Sequence, residues 1–310
     1  MNSLEINSVF STHRNLVSIP TPVDQAIPGI QEWGGIRKSG YGKIDRDDLP
    51  LVSVITVVKN NAGSIGEAIE SVIRQTYANI ELLVIDGGSD DGTIDIIKLY
   101  DDTIDLWISG KDSGIYDAMN RGLSLAQGRY VHFLNSDDHY SFQRAVELIV
   151  EQFKSTHARW IHANILMLDK QKGKGWIRYS NVSRYYYLFK GIPQQAFFFE
   201  KKLFDEFGAF NLEYRIVADL DFLLHIMLKQ DIPGKYLNMP VVIFDTRGVS
   251  GNMERKKSER ESVLRKYFPR WAFRLIRNRF FAWLLITNET PDRKKSLLEK
   301  LMSSTQNVWR

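Results

Sequence analysis

Two adjacent carboxylates, Asp137 and Asp138, follow directly on an apolar run of strand length, Tyr130 to Leu134, through Asn135 and Ser136. Paired carboxylates repel each other and lose hydration in a cleft, and a bound divalent cation relieves both costs. Their hard oxygens select Mg²⁺ or Mn²⁺, ions that in turn grip a diphosphate. The same pair also suits a strand-end turn with a helix N-cap. Asp86 closes another apolar run and opens the loop Gly87-Gly88-Ser89-Asp90-Asp91-Gly92. Glycines there let backbone approach a ligand closely, and the carboxylate can accept hydrogen bonds from a ribose or a base edge. The loop is neither a P-loop nor a G-x-G-x-x-G turn. Asp219 and Asp221 stand at i and i+2 near a helix start, so they cannot share a face. A carboxylate placed there beside a sugar acceptor would serve as general base, and both residues equally suit the helix dipole. Of the six histidines, His132, His162 and His225 read as structural, while His139 adjoins the carboxylate pair. The absence of H-E-x-x-H and G-x-S-x-G argues against zincin and α/β-hydrolase chemistry.

The elements that must position these groups alternate. Leu51 to Val58 is a nearly continuous β-branched run, suited to a parallel strand covered on both faces. Ile65, Ala68, Ile69, Val72 and Ile73 recur at helical spacing. Ile80 to Ile85 is a second strand, a helix starts near Thr93, and Ile104 to Ile108 is a third strand. Ile115, Met119, Gly122, Leu123 and Ala126 share one face of the next helix, which leads to the strand Tyr130 to Leu134. The order β-α-β-α-β-α-β predicts a mostly parallel sheet flanked by helices. Ligands in such sheets gather outside the carboxyl ends of the strands, which sets the loops at 56–60, 86–91 and 135–138 along one edge. Further on, 142–153 reads as helix, Trp160 to Leu168 and Phe197 to Phe199 as strands, and Asp219 to Leu228 as helix. Residues 1–49 are weakly periodic and read as an extension or irregular cap, before a main domain over 50–250 and a basic tail over 251–310.

Taken in order, four stretches resemble glycosyltransferase family 2, whose fold is called GT-A. They are Val52-Ser53-Val54-Ile55-Thr56-Val57 with Lys59-Asn60; Glu81 to Thr93; Asp112-Ser113-Gly114-Ile115-Tyr116-Asp117-Ala118-Met119-Asn120 running to Asn135-Ser136-Asp137-Asp138; and Ala218-Asp219-Leu220-Asp221. The resemblance covers about Leu51 to Asp245. It implies that Thr56 and Asp86 contact the donor's nucleoside, with Asp112 and Asn120 lining the same pocket. It implies that Asp137 and Asp138 bind a Mn²⁺ or Mg²⁺ ion and the diphosphate, and that Asp219 is the base of an inverting transfer. The donor it implies is a nucleotide sugar, by default a UDP-sugar, and the acceptor a glycan or lipid-linked saccharide. The Gly-Ile-Tyr-Asp-Ala-Met-Asn wording is similar to the colanic-acid-type branch that builds bacterial surface polysaccharides. Asn135 stands at the first acidic position of the family's Asp-x-Asp triplet, Gly87 replaces a frequent second aspartate, and Gln194-Gln195 stand where His-Gln is common. A catalytically inactive sugar-nucleotide-binding or scaffold protein on this fold would be expected to lose Asp137, Asp138 or Asp219, and all three are present.

Composition sets outer bounds. The 310 residues carry no cysteine, which removes disulfides, thiolate metal sites and a cysteine nucleophile. The formal charge of +4 is uneven, with Lys and Arg crowded from Arg255 to Lys300. In 270–286, Arg270, Arg274 and Arg277 fall on one helical face and Phe273, Ile276, Phe280 and Trp283 on another. That pattern suits a helix lying in a membrane interface, or one packed on the domain or on a second copy. The acidic centre speaks against a nucleic-acid partner. No apolar stretch approaches the roughly 18 residues of a membrane span, so the expectation is a cytoplasmic protein, peripheral at most to the membrane's inner face.

Overall fold

The apolar runs build strands, and the 3.6-residue patterns build helices packed against them. The computed structural model describes residues 16–19, 29–169, 172, 174–178, 193–245 and 253–268. In chain order these give β1 (Val17–Ser18), β2 (Glu32–Gly34), β3 (Tyr41–Gly42), β4 (Val52–Val58), α1 (Ile65–Ile73), β5 (Ile80–Asp86), α2 (Thr93–Lys98), β6 (Leu106–Ser109) and α3 (Ile115–Leu125). They continue with β7 (Tyr130–Phe133), β8 (Asp138–Tyr140), α4 (Ala145–Ser155), β9 (Trp160–Asp169), β10 (Lys174–Arg178), β11 (Phe197–Glu200), α5 (Lys202–Phe207), α6 (Ala218–Leu224), β12 (Gly234–Asp245) and α7 (Met253–Tyr267).

The sheet has ten strands in the order β2-β6-β5-β4-β7-β11-β9-β12-β8, with β10 added to β9. Strands β6, β5, β4 and β7 are mutually parallel, as the alternation predicts. Every residue of β4 and β5 is buried, which is what a strand covered on both faces requires. Beyond β7 the sheet is mixed. Strand β11 lies antiparallel between β7 and β9, β10 pairs antiparallel with β9, and β12 pairs with β9 in parallel. Of the loop expected over 135–138, Asp138 instead opens β8 against β12, opposite Phe244.

The helix after β6 buries Met119, Gly122, Leu123 and Ala126 as its spacing predicts, and differs from that reading only at its head. Ile115 is 44% exposed, and Tyr116 takes the buried position at its head. The tyrosine ring packs 5.4 Å from Phe210, and its hydroxyl finds half-buried partners in Ile216 and Asp219. Gly122 lets this helix settle on β4: a Cβ there would stand 2.4 Å from Cγ2 of Ile55.

Residues 29–49, expected as an irregular cap, are short in regular structure yet joined to the core. Strand β2 extends the sheet beside β6. Arg37 and Lys43 are both buried, and each meets a buried carboxylate. Arg37 pairs with Glu81 of β5 and also donates to the carbonyl of Leu125 at 2.8 Å. Lys43 pairs with Asp105 at 2.9 Å. Glu81 accepts in addition from the Ser53 hydroxyl and from the N–H groups of Gln127 (2.6 Å) and Gly128 (3.1 Å). Breaking one side of a buried pair strands the other charge, so Arg37→Met is expected to lower unfolding free energy by about 3–5 kcal/mol. Urea denaturation checks this, and the double variant Arg37→Met/Glu81→Gln should cost less than the two single changes summed.

Candidate active site

Four loops leave the carboxyl ends of the parallel strands, and named hydrogen bonds stitch them together. After β4, Asn60 adopts a left-handed conformation (φ 51°), its N–H donates to the Ser89 hydroxyl at 2.8 Å, and its side-chain oxygen accepts from Asp90 N–H at 2.9 Å. Asn61 N–H donates to Thr93 Oγ1 at 2.9 Å. Its side-chain amide reaches the other way, to the Ser136 hydroxyl at 2.9 Å. The loops after β4, β5 and β7, predicted to converge, are thus physically joined. The loop after β6 comes in through Asp112: a Cβ added to Gly87 would meet Asp112 Oδ2 at 2.3 Å, so the glycine after Asp86 makes room for that carboxylate.

The proposed ligand-binding residues differ in how much of their chemistry is already committed. Thr56 is fully buried on β4, and its hydroxyl has no hydrogen-bond partner among the described residues. Asp86 is buried and organises its own loop. One oxygen accepts from Gly88 N–H and Ser89 N–H at 3.0 Å and from the Ser109 hydroxyl at 2.7 Å, and the other takes the Ser89 hydroxyl. Asp112 Oδ1 accepts the Gly114 N–H at 2.9 Å. Asn120 clamps the backbone of Phe210 from both sides, its amide donating at 2.9 Å and its oxygen accepting at 3.0 Å. At the end of β7, Asp137 is half-buried and Asp138 fully buried. The Asn135 amide donates to Asp138 Oδ2 at 3.3 Å, while the buried Asn135 Oδ1 has no partner among the described residues. Among those residues no three His, Asp or Glu side chains cluster as a metal cage. The donors are two carboxylates and an amide oxygen on one turn. That set fits a hard cation whose remaining ligands come from a diphosphate and water.

Asp219 opens α6, half-buried, and its two oxygens have different surroundings. Oδ1 accepts from the Tyr116 hydroxyl at 2.9 Å and from Leu220 N–H at 2.8 Å. Oδ2 takes no hydrogen bond among the described residues. Burial raises the carboxyl to about 6, against the opposing pull of the Tyr116 hydrogen bond, the Leu220 N–H and the Lys256 charge. Asp221 turns away from it to α7, where Lys266 Nζ reaches both carboxylate oxygens at 2.9 Å and the Tyr267 hydroxyl donates at 2.9 Å. The i, i+2 spacing therefore separates one carboxylate that meets Tyr116 of α3 from one that fastens α7.

Sequence reasoning passed over Tyr116, Lys256 and Glu259. The available signal was the tyrosine itself, since a buried phenol needs a polar partner. His132 and His162 are buried, in keeping with a structural role. Burial lowers His132 to about 4, with its ring bonded to the Tyr140 hydroxyl and the Gln195 carbonyl, and lowers His162 to about 3. The basic, aromatic stretch 270–286 lies outside the described residues.

Comparison with known proteins bears on the family and the fold. The family model "Glycosyl transferase family 2" matches residues 53–218. A PGL/p-HBAD biosynthesis glycosyltransferase of Mycobacterium tuberculosis is 31% identical over 210 residues, spanning 66% of this chain and 80% of that protein. The putative teichuronic acid biosynthesis glycosyltransferase TuaG of Bacillus subtilis is 38% identical over 109 residues, or 33% of this chain and 43% of TuaG. Among solved structures, S. aureus TarS 1-349 in complex with UDP aligns with a TM-score of 0.59 at 16% identity, covering 74% of this chain and 70% of that one. The mannosyltransferase PcManGT of Pyrobaculum calidifontis, in complex with GDP-Man and Mn²⁺, aligns at 0.52 and 15% identity, covering 86% and 83%. The fold is the GT-A α/β architecture that these enzymes share.

The raised Asp219 carboxyl has a stability consequence. An aspartate ordinarily titrates at 3.8, and this one at about 6. Above pH 6 the native state holds a charge that the unfolded chain holds more cheaply, so the ionised group lowers stability. As pH falls through 6 the native carboxyl takes up its proton first, and the penalty fades. Asp219→Asn is therefore expected to raise stability by about 1–2 kcal/mol at pH 8, after allowance for solvent screening. The gain should fall to about half near pH 5 and vanish only below the ordinary carboxyl value of 3.8, as read by paired thermal melts.

Proposed function

The chain belongs to glycosyltransferase family 2, and from that membership we propose that it moves a sugar from a nucleotide-sugar donor to a glycan or lipid-linked acceptor, inverting the anomeric carbon. The observation that carries this reading is the divided carboxylate of Asp219. Its Oδ1 is held by two donors, its Oδ2 is open, and burial lifts its basicity. A carboxyl at about 6 is still about nine-tenths ionised at pH 7 and is a stronger base than a solvated aspartate. In the proposed step Oδ2 takes the proton of the acceptor hydroxyl. The acceptor oxygen then bonds to the anomeric carbon, and the bond from that carbon to the nucleoside diphosphate breaks.

Asp137 and Asp138 are the proposed holders of Mn²⁺ or Mg²⁺, with half-buried Asp137 the more accessible of the two. Such an ion supplies positive charge for the departing diphosphate. Thr56, with its unused buried hydroxyl, and Asp112, against Gly87, are proposed to face the nucleoside. Asp86 and Asn120 shape that pocket through the loop and the Phe210 backbone that they hold. UDP is the proposed nucleotide, supported by TarS, which was solved with UDP and with UDP-GlcNAc. Surface-polysaccharide or glycolipid assembly is the proposed setting, supported by the names of the mycobacterial and Bacillus relatives and by the resemblance to the colanic-acid-type branch. Among the described residues no helix is long and apolar enough to cross a membrane. Contact with a membrane surface is proposed through the basic stretch 270–286.

Calorimetric titration with UDP-, GDP- and dTDP-sugars, with and without Mn²⁺, tests the reading. Metal-dependent binding of one nucleotide class is expected, weakened at least tenfold by Asp137→Asn. Asp219→Asn should keep donor binding and lose transfer by about 10²–10⁴-fold, the usual worth of a general base. A folded protein that binds no nucleotide sugar in the presence of metal would sink the proposal in favour of an inactive scaffold.

A further inference from the structure

The Tyr116 hydroxyl has one hydrogen and two acceptors. It stands 2.9 Å from Asp219 Oδ1 and 3.0 Å from the carbonyl oxygen of Ile216. Neither acceptor is free to drift. Glu259 of α7 accepts the N–H groups of Arg215 (3.0 Å) and Ile216 (2.8 Å), which fixes the turn that presents the Ile216 carbonyl. Leu220 N–H holds the same carboxylate oxygen that Tyr116 meets. Tyr116 itself is pinned by burial on α3 and by its contact with Phe210.

We propose that Tyr116 is a positioning residue for Asp219, its hydroxyl hydrogen directed to Oδ1 while the carboxylate is charged and to the Ile216 carbonyl once Oδ2 has taken a proton. The reason is the relative strength of the acceptors. A carboxylate outbids an amide carbonyl for a donor, and an amide carbonyl outbids the C=O of a neutral carboxylic acid. One rotation about the phenol C–O bond therefore serves both states without moving a heavy atom. The proton taken from the acceptor stays on Oδ2, and no bond to Tyr116 is made or broken. Burial and the neighbouring Asp219 charge hold the phenol well above its ordinary range, so it remains a neutral donor throughout. The other charges around the pair are Lys256 and Glu259 from α7, and Arg215, whose Nη1 would lie 3.2 Å from a Cβ on Gly114. This inference rests on Asp219 being the base.

The test follows the Asp219 carboxyl by carbon NMR in full-length protein labelled with ¹³C-aspartate, the signal being assigned by its loss in Asp219→Asn. Tyr116→Phe removes the donor and should move the midpoint upward by about one pH unit. Replacing Tyr116 with 3-fluorotyrosine keeps the shape, strengthens the donor and should move the midpoint downward. Opposite shifts establish the coupling; a midpoint unchanged in both variants overturns it, and a tyrosine that merely fills space would give that result. Transfer activity retained by Asp219→Asn would instead overturn the assignment of the base, and this role with it, whatever the titration shows.

Discussion

Glu81 is a carboxylate set fully inside the central sheet, and the arrangement around it fixes where the site can be. It lies on β5 opposite Ser53 of β4, and its oxygens gather the Ser53 hydroxyl, the Arg37 guanidinium and the N–H groups that lead into β7. A buried charge of this kind is tolerable only when it is paired and its lone pairs are filled. Satisfying it locks the amino ends of three parallel strands and the segment before them into one register. A slip of one residue on β5 would carry Glu81 to the opposite face. The carboxyl ends of the same strands carry Thr56, Asp86 and the 135–138 turn, so their alignment at the cleft follows from a constraint at the other end of the sheet.

The cleft is built from polar groups that hold each other while a few are left uncommitted. Asp86 spends nearly all its hydrogen-bonding capacity on the loop, and Asn120 spends its amide on Phe210. Thr56 Oγ1 and Asn135 Oδ1 are buried without a hydrogen-bond partner among the described residues, and Asp219 Oδ2 accepts no hydrogen bond among them. Buried or half-buried polar atoms without partners are destabilising, so their retention points to a ligand more strongly than residue type alone. Stability and readiness to react oppose one another at these atoms.

Much of this was legible in the sequence, for reasons that also mark where legibility ended. Strands such as Val52 to Val58 are read easily because burial on both faces forces a continuous apolar run. The loops at their carboxyl ends follow from the α/β alternation. Ile115 misled because period alone cannot distinguish adjacent starting residues of a helix: Tyr116 won the buried place through partners, Phe210 and Asp219, roughly 100 residues downstream in the chain. Arg37 and Lys43 were hidden for a related reason. A lone basic residue in an irregular stretch reads as surface, and only tertiary contact with Glu81 and Asp105 explains two buried cations. The mixed half of the sheet depends on returns of the chain that leave little periodic trace.

The family match ends at residue 218, yet the support of Asp219, the proposed base, continues well past it. Val217, Leu220 and Leu224 form a small apolar cluster with Val263, Leu264 and Phe268, separate from the main core. Around it, Glu259 grips the backbone of Arg215 and Ile216 before the base, while Lys266 and Tyr267 grip Asp221 after it. Helix α7 thus brackets Asp219 from both sides in sequence without a hydrogen bond to its carboxylate. A carboxylate that takes a proton at Oδ2 can be held only through Oδ1, so contacts made by its neighbours add to the two that it makes itself. On the proposed role of Asp219, that division of labour accounts for a charged helix of low apolar content packing there and for Asp221 being more fully bonded than Asp219.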